Sequence, residues 1–192
     1  MKRLLFYFFG LVVLLSQSSC GYNSMVSKDQ AVKTQWAQVQ NSYQRRADLI
    51  PNLVNTVKGA ANFEKSTLTD VVNARAKATS VQVSADNLTP EKLRQFQEAQ
   101  SQVSAGLGRL LAVSENYPDL KANANFQELQ AQIEGTENRI NVERNKFNTV
   151  TNDYNGFIKS FPNNLFAGMF GFKEAPYFKA AEGSEKAPTV QF

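Results

Sequence analysis

The chain has 192 residues, 42% of them hydrophobic, enough for one good core and hardly for two. Its formal charge of +4, from 21 basic and 17 acidic residues, is too mild and too scattered for a nucleic-acid face. With no histidine and with Cys20 as its one cysteine, it lacks the commonest general base and excludes both an intramolecular disulfide and a thiol-rich metal site.

Residues 1–20 form a unit of their own. Lys2 and Arg3 make a positive start, and residues 4–15 are an apolar run interrupted only by Gly10. A membrane-crossing helix needs about 20 apolar residues, so this run suits a signal-peptide core better than a permanent span. Ser16, Gln17, Ser18 and Ser19 then lead to Cys20, a pattern that resembles the cleavage box of bacterial lipoproteins. Gln17 departs from that box, which usually has leucine there. The expectation is lipidation at Cys20, with an uncleaved signal anchor as the alternative. Either way the body lies outside the cytoplasm beside a membrane. Removing Lys2 and Arg3 leaves 19 basic against 17 acidic residues, so the anchor, not surface charge, is what holds the body there.

Residues 21–24 read as a short linker. Val32, Trp36, Val39, Tyr43, Arg46, Ile50, Leu53 and Val57 then keep a heptad phase, which predicts a helix over 25–60, roughly 50 Å long. Pro51 removes the amide that would bond the carbonyl of Ala47, so a bend is expected there, and the unbroken phase argues against a stop. Asn62 is a candidate cap for a second, shorter helix with Leu68, Val71, Val72 and Arg75 on its stripe. Its direction relative to the first is left open by the pattern. Residues 79–88 are polar and β-branched and read as a loop.

Thr89 and Pro90 supply a cap and a first-turn proline for a third helix over 90–116, striped by Leu93, Phe96, Gln100, Val103, Leu107, Leu110 and Ser114. Tyr117-Pro118 ends it. Asn123 or Asn125 caps a fourth helix to about 160, and Asn125 with Glu128 has capping-box spacing. Its stripe comprises Phe126, Leu129, Ile133, Ile140, Phe147, Val150, Tyr154, Phe157 and Phe161, with Glu143 at core phase. The fold expected is all-α: an elongated antiparallel up-and-down four-helix bundle over 21–161. Glycines and prolines make 162–192 an irregular tail that nonetheless carries Phe166, Phe170, Phe172, Tyr177, Phe178 and Phe192. It is expected to pack on the bundle near Phe157 and Phe161. Insertion into a membrane interface is a second reading.

Several stretches, RRADLIPNLVNTVKG (45–59), GRLLAVSENYPDLKAN (108–123), TENRI (136–140), YNGFIKSFPNNLFAGMFGF (154–172) and PTVQF (188–192), resemble the LemA family of bacterial membrane-associated proteins. Tyr22-Asn23 resembles that family's start. The resemblance implies an antiparallel helical bundle displayed outside a membrane, and it implies no catalytic site or cofactor. Relatives usually have an N-terminal transmembrane helix, so a lipoprotein signal would be a variation in anchoring.

No residue set points to chemistry of its own. Serines lack a histidine base. Glu134 and Glu137 share a helical face without the histidines of a di-metal bundle. Gly106 and Gly108 lie within a helix with no preceding strand, so they read as close packing, not a phosphate loop. The polar residues of the quoted stretches, Arg45, Arg46, Asp48, Asn52, Arg109, Glu115, Glu137 and Arg139, read first as ion pairs that fix helix register. A second reading places a ligand beside Pro51, near the freed Ala47 carbonyl, Asp48 and Asn52. The end of the chain, with Val190 and Phe192 alternating with polar residues, suits a groove that takes extended C-terminal peptides. The function expected is a non-enzymatic scaffold or partner-binding module of the bacterial cell envelope. Its partners would be the membrane, through the anchor, and an envelope protein or a second copy. The alternative is a sensor of a small molecule or peptide near Pro51.

Overall fold

The computed structural model describes residues 2–59 and 63–179, with side chains described for 21–59 and 63–179. The expected features at 1–20 (Cys20 included), at Asn62, and at Val190 and Phe192 therefore lie outside the residues described in full. The described residues are all-helical: α1 (Lys2–Lys58), α2 (Lys65–Ser80), a 3-10 turn (Ala85–Asn87), α3 (Pro90–Ser114), α4 (Pro118–Lys121), α5 (Ala124–Lys159) and α6 (Asn163–Phe170). Among residues 21–59 and 63–179 no helix is long and apolar enough to cross a membrane.

The heptad phase places the core of α1. Val32, Trp36, Val39, Ile50, Leu53 and Val57 are buried. Residues 21–24, expected as a linker, are helical, and Met25 is already fully buried. A single glycine costs a helix only ~1 kcal/mol, so Gly21 does not interrupt a helix whose next turn packs. Pro51 sits inside α1 and does not end it.

The helix pairings follow from the cross-links between them. Gln35 of α1 reaches Glu143, and Arg46 reaches Glu137, so α5 runs antiparallel to α1. Arg75 of α2 donates to the carbonyl of Ala47, so α2 turns back along α1. Trp36 and Tyr43 meet Phe96, and Arg46 meets Gln100, so α3 runs in the direction of α1. Val72, placed on the α2 stripe by sequence, is exposed, while Leu68, Val71 and Ala78 face inward.

The ends of α3 and α5 are capped from the sequence. Thr89 Oγ1 accepts from the amide of Lys92 at 3.3 Å, with Pro90 in the first turn. Asn123 Oδ1 accepts from the amides of Asn125 and Phe126. Asn123, not Asn125, is thus the cap, and the Asn125–Glu128 box is not used. The loop after α2 packs against α1: Val83 is buried, and its carbonyl accepts from Trp36 Nε1 at 2.9 Å and Gln40 Nε2 at 3.0 Å.

Gly106 and Gly108 part company. A Cβ at Gly106 would stand 3.4 Å from a Val71 methyl, which is how α2 approaches α3; at Gly108 it would meet nothing within 4 Å. Gly108→Ala should therefore raise stability by ~0.5–1 kcal/mol through helix propensity alone. Gly106→Val should lower it, because the added methyls go beyond that contact and press on Val71, which is fully buried. Urea midpoints of the two variants check both signs.

The tail differs from expectation in two ways. It begins with a helix, α6, closed by Gly171 at φ 77°. Residues 172–179 then run extended along α5, where Asn155 exchanges two hydrogen bonds with the backbone of Ala175 and Asn148 two with that of Phe178, all at 2.9 Å. The tail does pack on the bundle, with Phe166, Phe172 and Ala175 joining the cluster that includes Phe157, but Phe178 is buried further along against Trp36 and Phe147, and Phe161 is 81% exposed.

Candidate functional site: a buried polar seam beside two hollows

Two apolar clusters make up the core. One is centred on Trp36, Phe96, Phe147 and Phe178, the other on Ile50, Leu53, Leu107 and Ile133. Arg46 lies where they meet, 1% exposed. Its guanidinium pairs with Glu137, donates to Ser104 Oγ at 2.8 Å and to Gln100 Oε1 at 2.8 Å, and lies 5.1 Å from the Tyr43 ring. One side chain thus ties α1 to both α3 and α5. Its two terminal nitrogens are fully engaged while the buried Nε has no partner among the described residues, and the geometry of those bonds favours one axial register. Tyr43, packed against this cluster, has its hydroxyl pKa pushed up, chiefly by burial.

Glu143, 5% exposed, is the second buried charge. Gln35 Nε2 donates to its carboxylate at 2.7 Å, Lys146 approaches at 3.3 Å, and Arg139 lies one turn away at 3.8 Å. The Gln35 hydrogen bond is the main cause of a carboxyl pKa held below the ordinary 4.5, against the opposing effect of burial. A depressed carboxyl pKa stabilises the fold at pH above about 4.5, and the gain is lost as pH falls through the folded value. Glu143→Gln should therefore show a shallower fall of melting temperature than the native chain on acidification from pH 5, read by circular dichroism.

The remaining polar candidates separate. Arg109 pairs across helices with Asp70 of α2 at 2.9 Å, both exposed. Glu115 pairs with Lys121 after the end of α3. Such exposed pairs add at most ~1 kcal/mol. Asp48 accepts from Gln44 on the surface of α1. The Asn52 backbone carbonyl accepts from Thr56, and its side chain is exposed. The Ala47 carbonyl freed by Pro51 is taken by Arg75 Nε at 2.7 Å, so it is satisfied from within. Arg75 stood on the predicted stripe of the second helix, the signal for this bond.

Two hollows border α1. The first, ≈ 760 Å³ between α1 and α5, brings Arg45 and Arg139 together beside Gln38, Asn41 and Gln132. The second, ≈ 650 Å³, is lined by Val54, Phe63, Leu68 and Val72 with Lys58 and Lys65 at its edge. Asp48 and Asn52 line neither. Among the described residues no cluster of acidic, cysteine or histidine side chains is arranged to hold a metal ion.

Residues 35–192 match the LemA family. The chain is 24% identical over 160 residues to Protein LemA of Metamycoplasma hominis, a match covering 83% of this chain and 69% of that one. It is 25% identical over 177 residues to Magnetosome protein MamQ 2 of Paramagnetospirillum magneticum, covering 82% and 64%. A third relative, Magnetosome protein MamQ of Magnetospirillum gryphiswaldense, is 24% identical over 187 residues, covering 88% and 68%. The chain thus spans only about two thirds of the length of these relatives.

Proposed function

The chain belongs to the LemA family, and from that premise we propose that it is a lipoprotein-type, non-enzymatic scaffold of the bacterial cell envelope. In this reading an up-and-down four-helix bundle is held outside the cytoplasm and presents its surface to a protein partner. The observation that supports it most is the absence of slack at the start of the bundle. α1 is helical at Gly21, directly after the expected anchor, and its side chains enter the core by Met25. A body joined this closely sits at a fixed height and orientation above the membrane, which is what a scaffold requires and a diffusing enzyme does not. The buried charges fit the same reading, since Arg46 and Glu143 are occupied with other side chains of the fold.

The partner surface is the Arg45–Arg139 hollow on the outer side of the α1–α5 pair, together with the chain end at Val190 and Phe192. A photo-crosslinking amino acid placed at Arg45 or Arg139 in living cells should give the same discrete adduct from both positions. An identical adduct from the distant exposed Asp119 would show random proximity and end this assignment. Deleting 189–192 should diminish the adduct while leaving helicity unchanged if the chain end takes part. Intact-mass measurement around Cys20 distinguishes a lipid-modified first residue from an uncleaved anchor.

A second reading, a sensor, is favoured by the apolar hollow at Val54, about one turn beyond Pro51 on α1. Its apolar lining and the two lysines at its edge fit an apolar molecule with an acidic end. Saturable thermal stabilisation by a medium-chain fatty acid, lost in Leu68→Glu, would establish it.

A further inference from the structure

α6 breaks the rule that orders the other helices. NNLFAGMF carries no charge on any face, and after Asn163 and Asn164 it holds only apolar residues and one glycine, where a surface helix would show a charged or polar outer face. Its inner side is accounted for: Ala167 is buried, and Phe166 packs on the Trp36 cluster. Its outer side is not. Leu165 and Met169, one turn apart, are 61% and 74% exposed; Phe161 just before the helix and Phe170 at its end are exposed as well. Large apolar side chains grouped in this way on a soluble surface mark a contact with something else.

The position of α6 says what that is. Its first turn lies against Gly21, where a Cβ would stand 3.2 Å from Asn163 Oδ1. Its end meets Tyr22 edge to face, with ring centres 5.0 Å apart at Phe170 and 5.8 Å at Phe172 just after the helix. The patch therefore sits at the end of the bundle where the apolar run 4–15 precedes the body. Along a helix, Tyr22 lies roughly 10 Å from Leu15. That spacing is on the order of the ~5–8 Å headgroup layer on one side of a bilayer. A second copy would be expected to use the long lateral faces of α1 and α5; an apolar patch confined to the anchor end fits a lipid surface.

We propose that α6 is an interfacial helix: Phe161, Leu165, Met169 and Phe170 enter the headgroup and upper acyl region of the same bilayer that holds the N-terminal segment. The mode is that of an amphipathic helix lying in the membrane plane, with the core of the bundle as its second apolar contact. Tyr22, with its ring on α6 and its hydroxyl end polar, suits the boundary depth. The helix seats the bundle on the membrane and stops it from pivoting about its anchor. This inference rests on the membrane-anchored reading above, and the experiment separates the two.

Full-length Met169→Trp, purified from the membrane fraction of bacterial cells, is reconstituted into phosphatidylcholine vesicles with plain or dibrominated acyl chains. Trp36, the native tryptophan, is fully buried and roughly 20 Å further along α1, so it is the unquenched reference. The expected result is at least a twofold loss of the added emission in brominated vesicles, with the unsubstituted chain unchanged. If the variant floats with the vesicles and its added emission is the same in both, the α6 proposal falls and the anchor reading stands. That result would fit an outer face covered by 180–192 or by a second copy. If the unsubstituted chain does not float with vesicles, both readings fall together.

Discussion

Arg46→Ala is expected to lower stability by ~3 kcal/mol, whereas Arg45→Ala, one residue away, should stay within ~0.5 kcal/mol. The difference comes from what each side chain leaves behind. Arg45 is exposed at the edge of a hollow. Removing Arg46 takes the cation from the Glu137 carboxylate, which keeps only the Ser104 hydroxyl at 3.3 Å among the described residues, and the donor from Gln100 Oε1, and it opens a space between two apolar clusters. Glu137 keeps about a third of its side-chain surface accessible, which holds the cost to the lower part of the range for a broken buried pair. For a chain of this size the loss corresponds to roughly 10 °C in melting temperature. Equal small shifts for the two variants would remove Arg46 from its place in the core. Pairing Arg46→Met with Glu137→Gln should recover part of the loss, because neither charge is then left alone.

Phe178→Ala is expected to have the second large effect, and of a different kind. Truncating a buried phenylalanine costs ~3–5 kcal/mol when the site stays in place as a cavity. Here the residue belongs to an extended segment that can lift away, so the loss should stop at whatever free energy holds the tail. Phe178 supplies stacking on Trp36 at 6.0 Å, an edge contact with Phe147 at 5.4 Å, and a face for the Arg144 guanidinium at 4.8 Å. Without it the Trp36 ring meets water, so its emission should move to the red. Trypsin should cut after Lys173 and Lys179 many times faster, while the helical signal at 222 nm changes little. Unchanged emission and digestion would mean that the tail is held by its backbone bonds alone.

How much of this was legible in the residues depends on the kind of contact. The heptad spacing located α3, α5 and the C-terminal end of α1 to within a few residues because burial repeats every turn or two and leaves a period. It also placed Arg46 and Glu143 in the core, since a charge at an apolar phase can only be paired or misplaced. The partner of the Ala47 carbonyl was half visible: Arg75 broke the apolar stripe of its helix for a reason that appears only once α2 turns back. Residues 21–24 and α6 were misread because glycine and proline content describes local preference, and packing against neighbours outweighed it. The grip of Asn148 and Asn155 was invisible. It is directed at backbone, which every residue has.

That grip has a metric consequence. Asn148 and Asn155 are two turns apart, ~10.5 Å along the helix axis. Ala175 and Phe178, which they hold, are three residues apart in extended chain, ~10 Å. The helix acts as a ruler with two marks, and the tail fits it by length, not by the identity of the residues between the marks. Substitutions at Pro176 or Tyr177 should leave the fit intact. Removing one residue from that interval shortens the span by a third and leaves one mark without its partner.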